Sequence, residues 1–599
     1  MRRPFIHLLL LAAAGWAGCS SDRGQFENKP GDLGSPDAGL DSVDAGCSGL
    51  VCSRDLRSVR DCYGNLVKEC GADTACGKGE CIAPCDAAAV NEGSVGCSFA
   101  IPAQNGGLSY RGDCAAFFVA NNWTSPATIH VEFKGEELSL DGAVWVPSVE
   151  DGVVKHRKLD GPIPAGEAAV VFLSNERRDD RDWIACPDGV RTVLEREDTV
   201  ARTGIGHAVF ARADVPVSMY SIYPYGGANG FLPSASLLFP TTSFRNNYIA
   251  VSAWGGKSDT FVLPARTGPG IGQVGKPTLQ IVAAEDDTSI DLLPRVDLIG
   301  GNGIQSSRQN EVVRHTLRRG EVMQITQERE LVGSVIETNK PVGLFGGATC
   351  VNIPYNTAAC DIDNEQIPPL SSWGREYAVL PAPNRASWLS QKKGGAQDLG
   401  IIRMVGAVNG TKLVYEPWTP EGAPDELQSG QLVRFATDRP FVVRSQDSGH
   451  PFYVASVMSG VELSSSGLGD PETALTIPTD QWLDSYVFFS DFTYALSGVF
   501  VTRRKTNGEF RDVTLECAGV LTDWQPINAD YEWTYAELSR FGKPVPYPAG
   551  TCTDGVNRIR SDGPFSMTVW GLGRASSYAY PGGAGLRPIT DVHVPAVVR

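Results

Sequence analysis

Residues 240–254 read PTTSFRNNYIAVSAW: a proline, an aromatic four positions on, a tyrosine four further, then an apolar run of strand length. The pattern returns as Pro369-LSS-Trp373-GRE-Tyr377 before AVLPAP and as Pro478-TDQ-Trp482-LDS-Tyr486 before VFFSDF. Pro240, Phe244 and Tyr248 thus have counterparts in Pro369, Trp373 and Tyr377 and in Pro478, Trp482 and Tyr486. Self-similarity at such intervals marks repeated structural units. A buried aromatic four residues ahead of a tyrosine would anchor a crossing loop against a sheet. These nine residues are therefore read as structural, in preference to a ligand-stacking set.

Two further elements repeat. A strand, a polar turn and a proline opening another strand occur as FARADVPVSMYSI (Pro216), SVIETNKPVGLFGG (Pro341), VRSQDSGHPFYVAS (Pro451) and RIRSDGPFSMTVWGL (Pro564). Proline as the first residue of a strand loses no ladder hydrogen bond if its missing N–H faces outward. The third element is Ala120-NNW-Thr124, Ala284-EDD-Thr288 and Ala407-VNG-Thr411 between strands, with KTNGEF (505–510) filling the same hairpin role in the last segment. Asp, Asn and Gly supply the geometry such turns need. The reading is an all-β chain of four tandem, β-sandwich-like units at 97–235, 236–360, 361–470 and 471–599, each with six or seven short strands. A propeller-like closed array is the alternative arrangement. Helix is expected only in short stretches such as 189–198 and 530–540.

Composition agrees with this class. The 599 residues are 42% hydrophobic and 20% charged, enough apolar content for a sizeable core. There are 66 Gly and 39 Pro against only 6 Met, which suits turns and strands and not helical bundles. The net charge of −17 repels phosphate backbones, so nucleic acid is excluded as a partner.

The N-terminus carries an address. Arg2 and Arg3 precede the apolar run Phe5–Ala14, which has signal-peptide length and is too short to span a bilayer. The run ends in Trp16-Ala17-Gly18-Cys19, which resembles a bacterial lipobox. It implies a signal peptide over 1–18, lipid on Cys19 and membrane attachment through that lipid alone. Ser20, where inner-membrane retention would need Asp, points by resemblance to Gram-negative lipoproteins to the outer membrane, with display at the cell surface. Residues 19–46 lack apolar periodicity and read as a disordered tether.

Setting Cys19 aside leaves an even number of the 15 cysteines, which in an exported chain reads as disulfides. Cys47, Cys52, Cys62, Cys70, Cys76 and Cys81 are expected to staple a small disulfide-rich module over 47–96, in a connectivity the sequence leaves open. Cys85, Cys97, Cys114 and Cys186 supply two more bonds. Cys350 pairs with Cys360 and Cys517 with Cys552, each pair being isolated from other cysteines. No CxxC pair is present, which argues against zinc.

Catalytic signatures are missing. His130, His156, His207, His315, His450 and His593 form no HExxH, and there is no GxSxG elbow. Gly270-x-Gly272-x-x-Gly275 precedes a strand, so a phosphate would find no helix N-terminus. No catalytic, cofactor-binding or metal-binding residue is therefore assigned. The acidic runs Asp361-Ile-Asp363-Asn364-Glu365 and Glu285-Asp286-Asp287 lack EF-hand spacing. Both are read as solvated loops, with weak calcium binding as the minor alternative.

The segment HAVFARADVPVSMYSIYPYGGANGFLPSASLLFPTTSFRNNYIAV (207–251), with SVIETNKPVGLFGG and TVWGLGRASSYAYPGGAGLRPI, resembles the N-terminal domain of IgGFc-binding proteins. The likeness spans about 97–590. It implies an extracellular binding or adhesion module with no known catalytic residues, and the antibody-binding property is not carried over. The expected function is that of a non-enzymatic, surface-anchored binding or adhesion lipoprotein that meets an extracellular protein or glycan. The alternatives are a structural envelope protein without ligand and, behind it, a carbohydrate-active enzyme using loop carboxylates.

Overall fold

A computed structural model describes residues 49–597, except 54, 105–111, 151–152, 177–182, 231, 256–260, 262–274, 355–356, 358 and 391–397. The signal segment 1–18, Cys19, the tether to residue 46, Cys47, Gly270 and Gly272 lie outside the described residues. The described chain is nearly all antiparallel β. Its short apolar runs become strands, and the Gly-, Asn- and Asp-rich links between them become turns, several closed by residues in the left-handed region.

Each unit is built on a strand shared by two sheets. In the first, β1 (Val209–Tyr223) pairs through its first half with Gly96–Ile101 and Ile129–Phe133. Its second half pairs with Ala115–Ala120 and with β2 (Ser234–Leu238). In the second unit, β3 (Val335–Val351) pairs first with Arg245–Ile249 and Thr288–Leu293, then with Pro277–Ala283 and β4 (Asp361–Ile367). The third unit splits the long strand. Phe441–Ser445 serves one sheet, and β5 (Phe452–Met458) pairs with Gly400–Gly406 and β6 (Glu472–Leu475) in the other. In the fourth, β7 (Gly555–Gly573) joins Leu483–Ser490 to Leu496–Thr506 and to β8 (Ser576–Pro581).

The turn-plus-proline element therefore differs from its expected role in three of the four units. Pro216, Pro341 and Pro564 do not open new strands; they lie inside β1, β3 and β7, where the strand leaves one sheet for the other. In β1 the ladder to Gly96–Ile101 shifts register between Arg212 and Val217, so the proline falls where a ladder donor is dispensable. The Ala-x3-Thr element differs in a related way. Pro277–Ala283 and Thr288–Leu293 pair with opposite halves of β3, so Glu285–Asp287 arches between sheets and does not fold a hairpin. The arch is closed alike in two units. Thr288 Oγ1 donates to Glu285 O at 2.7 Å and Thr411 Oγ1 to Val408 O at 3.0 Å, each after a residue of positive φ (Asp287 +53°, Gly410 +72°).

The helical expectation at 530–540 is overturned. Tyr531–Arg540 is a strand laddered to Leu496–Thr506, with Trp533 opposite Thr502 and Tyr535 opposite Phe500. The alternation of Tyr531, Trp533 and Tyr535 has the period of a strand, and aromatic residues favour a pleated surface. Residues 189–198 run as turns and bends, with Leu194 bridged to Ser174. A helix unforeseen in the sequence forms instead at α1 (Pro84–Asn91). It has proline at its first position and Asp86 in its first turn, and it buries Ala87 and Ala88.

The inner strands β2, β4, β6 and β8 meet at the centre. β4 packs against β2 and β6, and β8 packs against β6 and β2, so the four units form a closed ring. One apolar cluster runs through all of them, from Tyr220 and Leu237 through Leu344, Tyr453 and Leu475 to Phe488 and Tyr578. The ring is closed by chain remote in sequence: Ser94 N–H donates to Ala584 O at 2.8 Å and Leu586 N–H to Glu92 O at 2.7 Å. The unit boundaries read from sequence cut across this pairing. Residue 236 lies inside β2, and β4, which begins at 361, is laddered to β3.

Disulfides join Cys52 to Cys76, Cys70 to Cys81, Cys85 to Cys97, Cys114 to Cys186, Cys350 to Cys360 and Cys517 to Cys552. Cys62 is also disulfide-bonded. The Cys85–Cys97 bond ties α1 to the first strand of the ring.

Gly347 of β3 lies opposite Asn364 of β4, and a Cβ added there would sit 1.9 Å from the carbonyl oxygen of Asp363. Gly347→Ala is expected to unseat β4 and to cost more than about 2 kcal/mol, as overpacking against rigid backbone does. Gly49→Ala meets nothing within 4 Å and should stay within about 0.5 kcal/mol of the parent. Urea denaturation of the oxidised protein checks both.

Candidate functional site

The sequence motifs come together at the points where each chain crossing must be held. Pro240, Pro369 and Pro478 each precede one short 3₁₀ turn, and Phe244, Trp373 and Trp482 close it. The rings are buried, and the two indole N–H groups donate to Pro368 O at 3.1 Å and Ile477 O at 3.0 Å. The tyrosine that follows turns its hydroxyl back on the turn. Tyr248 accepts from Arg245 N–H, Tyr377 from Gly374 N–H and Tyr486 from Leu483 N–H, at 3.3, 3.0 and 3.0 Å. The same hydroxyls donate to Val342 O, Phe452 O and Phe565 O. Those carbonyls belong to the residues after Pro341, Pro451 and Pro564. Two motifs far apart in sequence thus lock onto each other, with no aromatic face left for a ligand.

The unexpected site is the centre of the ring. Asp361, Asp363 and Glu365 form no solvated loop; they lie on β4 with at most 3% of their surface exposed. Asp470 and Glu472 join them from the start of β6 and are equally buried. The reason is an edge problem. Each inner strand is laddered along one edge only, and the other edge, facing the centre, is sealed from water. Buried backbone groups must find partners, and here side chains provide them. Ser236 Oγ accepts from Gln366 N–H at 3.1 Å, Gln366 Oε1 from Phe239 N–H at 2.6 Å, Asp361 Oδ2 from Ser577 N–H at 3.1 Å and Ser577 Oγ from Asp470 N–H at 3.1 Å.

Burial dominates the titration of these acids. It raises Asp361, Glu365, Asp470 and Glu472 well above the usual carboxylate range and pushes Asp363 up to about 7. Asp554, in the fourth unit, is pushed up to about 6 by the same cause. Neighbouring negative charge adds to the shifts of Asp361, Glu365 and Glu472.

The remaining candidates are tied into local structure. His207 meets Asp198 at 2.6 Å, His130 meets Glu137 at 2.7 Å, His450 meets Asp447 within its own turn and His156 meets the Tyr225 hydroxyl. In the Glu285–Asp287 arch, Asp286 Oδ1 accepts from Arg319 N–H at 3.0 Å. Among the described residues no group of three or more His, Cys, Asp or Glu could hold a metal ion. No helix among them is long and apolar enough to cross a membrane. A cavity of about 40 Å³ between the third and fourth units is lined by Leu475, Phe500, Met567 and Trp570. It has room for ordered water and is far below the volume of a ligand pocket.

Comparison with known proteins gives two matches. The family model described as IgGFc binding protein matches residues 234–571, more than half of the chain. The human IgGFc-binding protein is 24% identical over 292 residues, covering 47% of this chain and 5% of the human one. The chain thus spans a small fraction of that relative's length. No solved structure matches. The family match opens at β2 and closes within β7, so it contains all three tyrosine corners.

Removing a corner hydroxyl orphans one backbone N–H and one carbonyl in the interior. Tyr377→Phe and Tyr486→Phe are each expected to cost about 1–3 kcal/mol in urea denaturation. Tyr63, which is 78% exposed, serves as the control, and Tyr63→Phe should be within about 0.5 kcal/mol of the parent.

Proposed function

This chain belongs to the IgGFc-binding protein family, and on that premise we propose that it is a non-enzymatic binding or adhesion protein anchored at the outer surface of a cell. The observation that carries the proposal is the family match lying across the closed β body. The family model and the human relative are both described as IgGFc-binding, which supports binding as the activity here. The human relative is named for binding the Fc part of IgG; for this chain that ligand is one probe among several.

The chemistry of the body supports recognition over turnover. A glycosidase needs two carboxylates flanking an accessible bond. Here the carboxylates Asp361, Asp363, Glu365, Asp470 and Glu472 are sealed inside the ring. Recognition of a protein partner needs surface area more than a deep pocket. The anchor follows from the N-terminus. Lipid on Cys19 would attach the chain to a membrane. The disulfides support an oxidising, exported location.

Protease shaving of intact cells tests display. The expected result is loss of the β body with the envelope intact, and protection from protease would overturn surface exposure in favour of a structural role inside the envelope. The same protein, purified without its lipid, should bind saturably to at least one member of a panel of IgG Fc fragments, extracellular glycoproteins and glycans. Clear turnover of a polysaccharide would overturn the non-enzymatic reading.

A further inference from the structure

Five carboxylates lie at the centre of the ring, Asp361, Asp363 and Glu365 on β4, Asp470 at the entry to β6 and Glu472 on β6, and the single edge bond that Asp361 accepts does not account for them. Each is almost fully buried, and each has an oxygen without a partner. These are Asp361 Oδ1, Asp363 Oδ1, Glu365 Oε1, Asp470 Oδ2 and both oxygens of Glu472. Their other contacts are with neutral donors. Ser577 N–H reaches Asp361, Ser236 Oγ reaches Glu365 at 3.2 Å and Val461 N–H reaches Asp470 at 2.9 Å, while Thr473 is the neutral neighbour of Asp363.

The charged neighbours offset the cluster only in part: Arg403 holds Asp363 down and Arg385 holds Asp470 down, against the larger effect of burial. Arg403, on Gly400–Gly406, faces Asp363, but its Nη2 is paired with Glu330 at 2.8 Å. Arg385 faces Asp470, but its Nε is paired with Asp398 at 3.0 Å. Glu462 adds negative charge beside Asp470. Asp491 and Asp554, two further carboxyls raised by burial, stand beside Tyr494 and Tyr578 and add to the same pH dependence. The tyrosines near this centre are Tyr453 on β5, Tyr494 after the Leu483–Ser490 strand and Tyr578 on β8. All three are held neutral by burial. Five ionised carboxylates in such a place would each bear the desolvation cost and repel one another. A carboxyl that keeps its proton avoids both.

We propose that these carboxyls are a proton-operated latch: protonated, they let the four inner strands close on one another, and ionised, they drive those strands apart and open the ring. The sign follows from linkage. The unfolded chain releases these protons near pH 4, whereas the folded chain keeps them to higher pH. The folded state therefore binds more protons across that window, and stability falls as pH rises through the folded values, including about 7 for Asp363. Paired surface carboxylates such as Glu137 and Asp141, whose pKa values are lowered, give the opposite slope and exert it only at acid pH.

The test is thermal unfolding of the full-length protein without lipid, disulfides intact, from pH 5 to pH 9 with EDTA present. Limited proteolysis or hydrogen exchange across Ser234–Leu238 and Ser576–Pro581 is read alongside. The expected result is a fall in melting temperature of several degrees between pH 6 and pH 8, with faster exchange of the inner strands. Glu472→Gln should flatten that slope and be the more stable protein at pH 8. Asp363→Asn should do the same and serves if Glu472→Gln does not fold. A melting temperature flat from pH 5 to pH 8, or variants that keep the parent slope, would overturn the proposal. Stability at pH 8 that is lost with EDTA and restored by calcium would also overturn it, because a cation and not protons would then neutralise the centre.

Discussion

The structure depends on how four strand edges are disposed of at one centre. β2, β4, β6 and β8 are each hydrogen-bonded along one side only, and closing the ring removes water from the other side. An unpaired backbone edge is costly when buried and prone to foreign pairing when exposed. This protein answers with side chains in place of a further strand. Ser236, Gln366, Asp361 and Ser577 supply the acceptors that a ladder partner would have supplied. The polar composition of the inner strands, unusual for the most buried elements of a fold, is a consequence of that arrangement.

The second constraint is angular. Each long strand must leave a peripheral sheet and enter an inner one, and the bend has to occur at the same place in every unit. The tyrosine hydroxyls fix that place by binding the carbonyl just past Pro341, Pro451 and Pro564. Each hydroxyl also holds its own turn, so the entry to one unit and the bend of its long strand are set by one group. The first unit lacks this corner. There the disulfide between Cys85 and Cys97 and the hydrogen bonds from Ser94 and Leu586 secure the entry strand instead.

Strand content and the corner spacing were legible because they rest on local pattern: period-two apolar runs, turn residues and a repeated interval. What was illegible depended on partners distant in the chain. The run DIDNE carries no apolar residue except Ile362, and nothing nearby reveals that three other strands will enclose it. It therefore read as solvated. The YEWTYAE run read as helix because its acids and alanine outweighed the alternation of Tyr531, Trp533 and Tyr535, which its neighbours in the sheet then enforced. The prolines of the long strands were correctly singled out but misassigned, since a strand end and a crossing between sheets look alike in one dimension. The helix Pro84–Asn91 had a local signal in its N-terminal proline and alanine run, masked by the surrounding cysteines.

The seam between Glu92–Ser94 and Ala584–Leu586 has a consequence for how such a body is built. Because the ring's first and last segments lie side by side, the order in which the chain visits the four units is a matter of bookkeeping and not of shape. A circular permutant that begins at the second unit and ends with the first would enclose the same centre. It would need only a short bridge across the seam and a new opening in one of the exposed turns. Duplication of a single ancestral unit, in any frame, would lead to the same closed form. The seam forms only once residues 584–586 have emerged, and the segment after it then lies across the second and third units, where Val594 N–H donates to Asn247 and Ala596 N–H to Glu337.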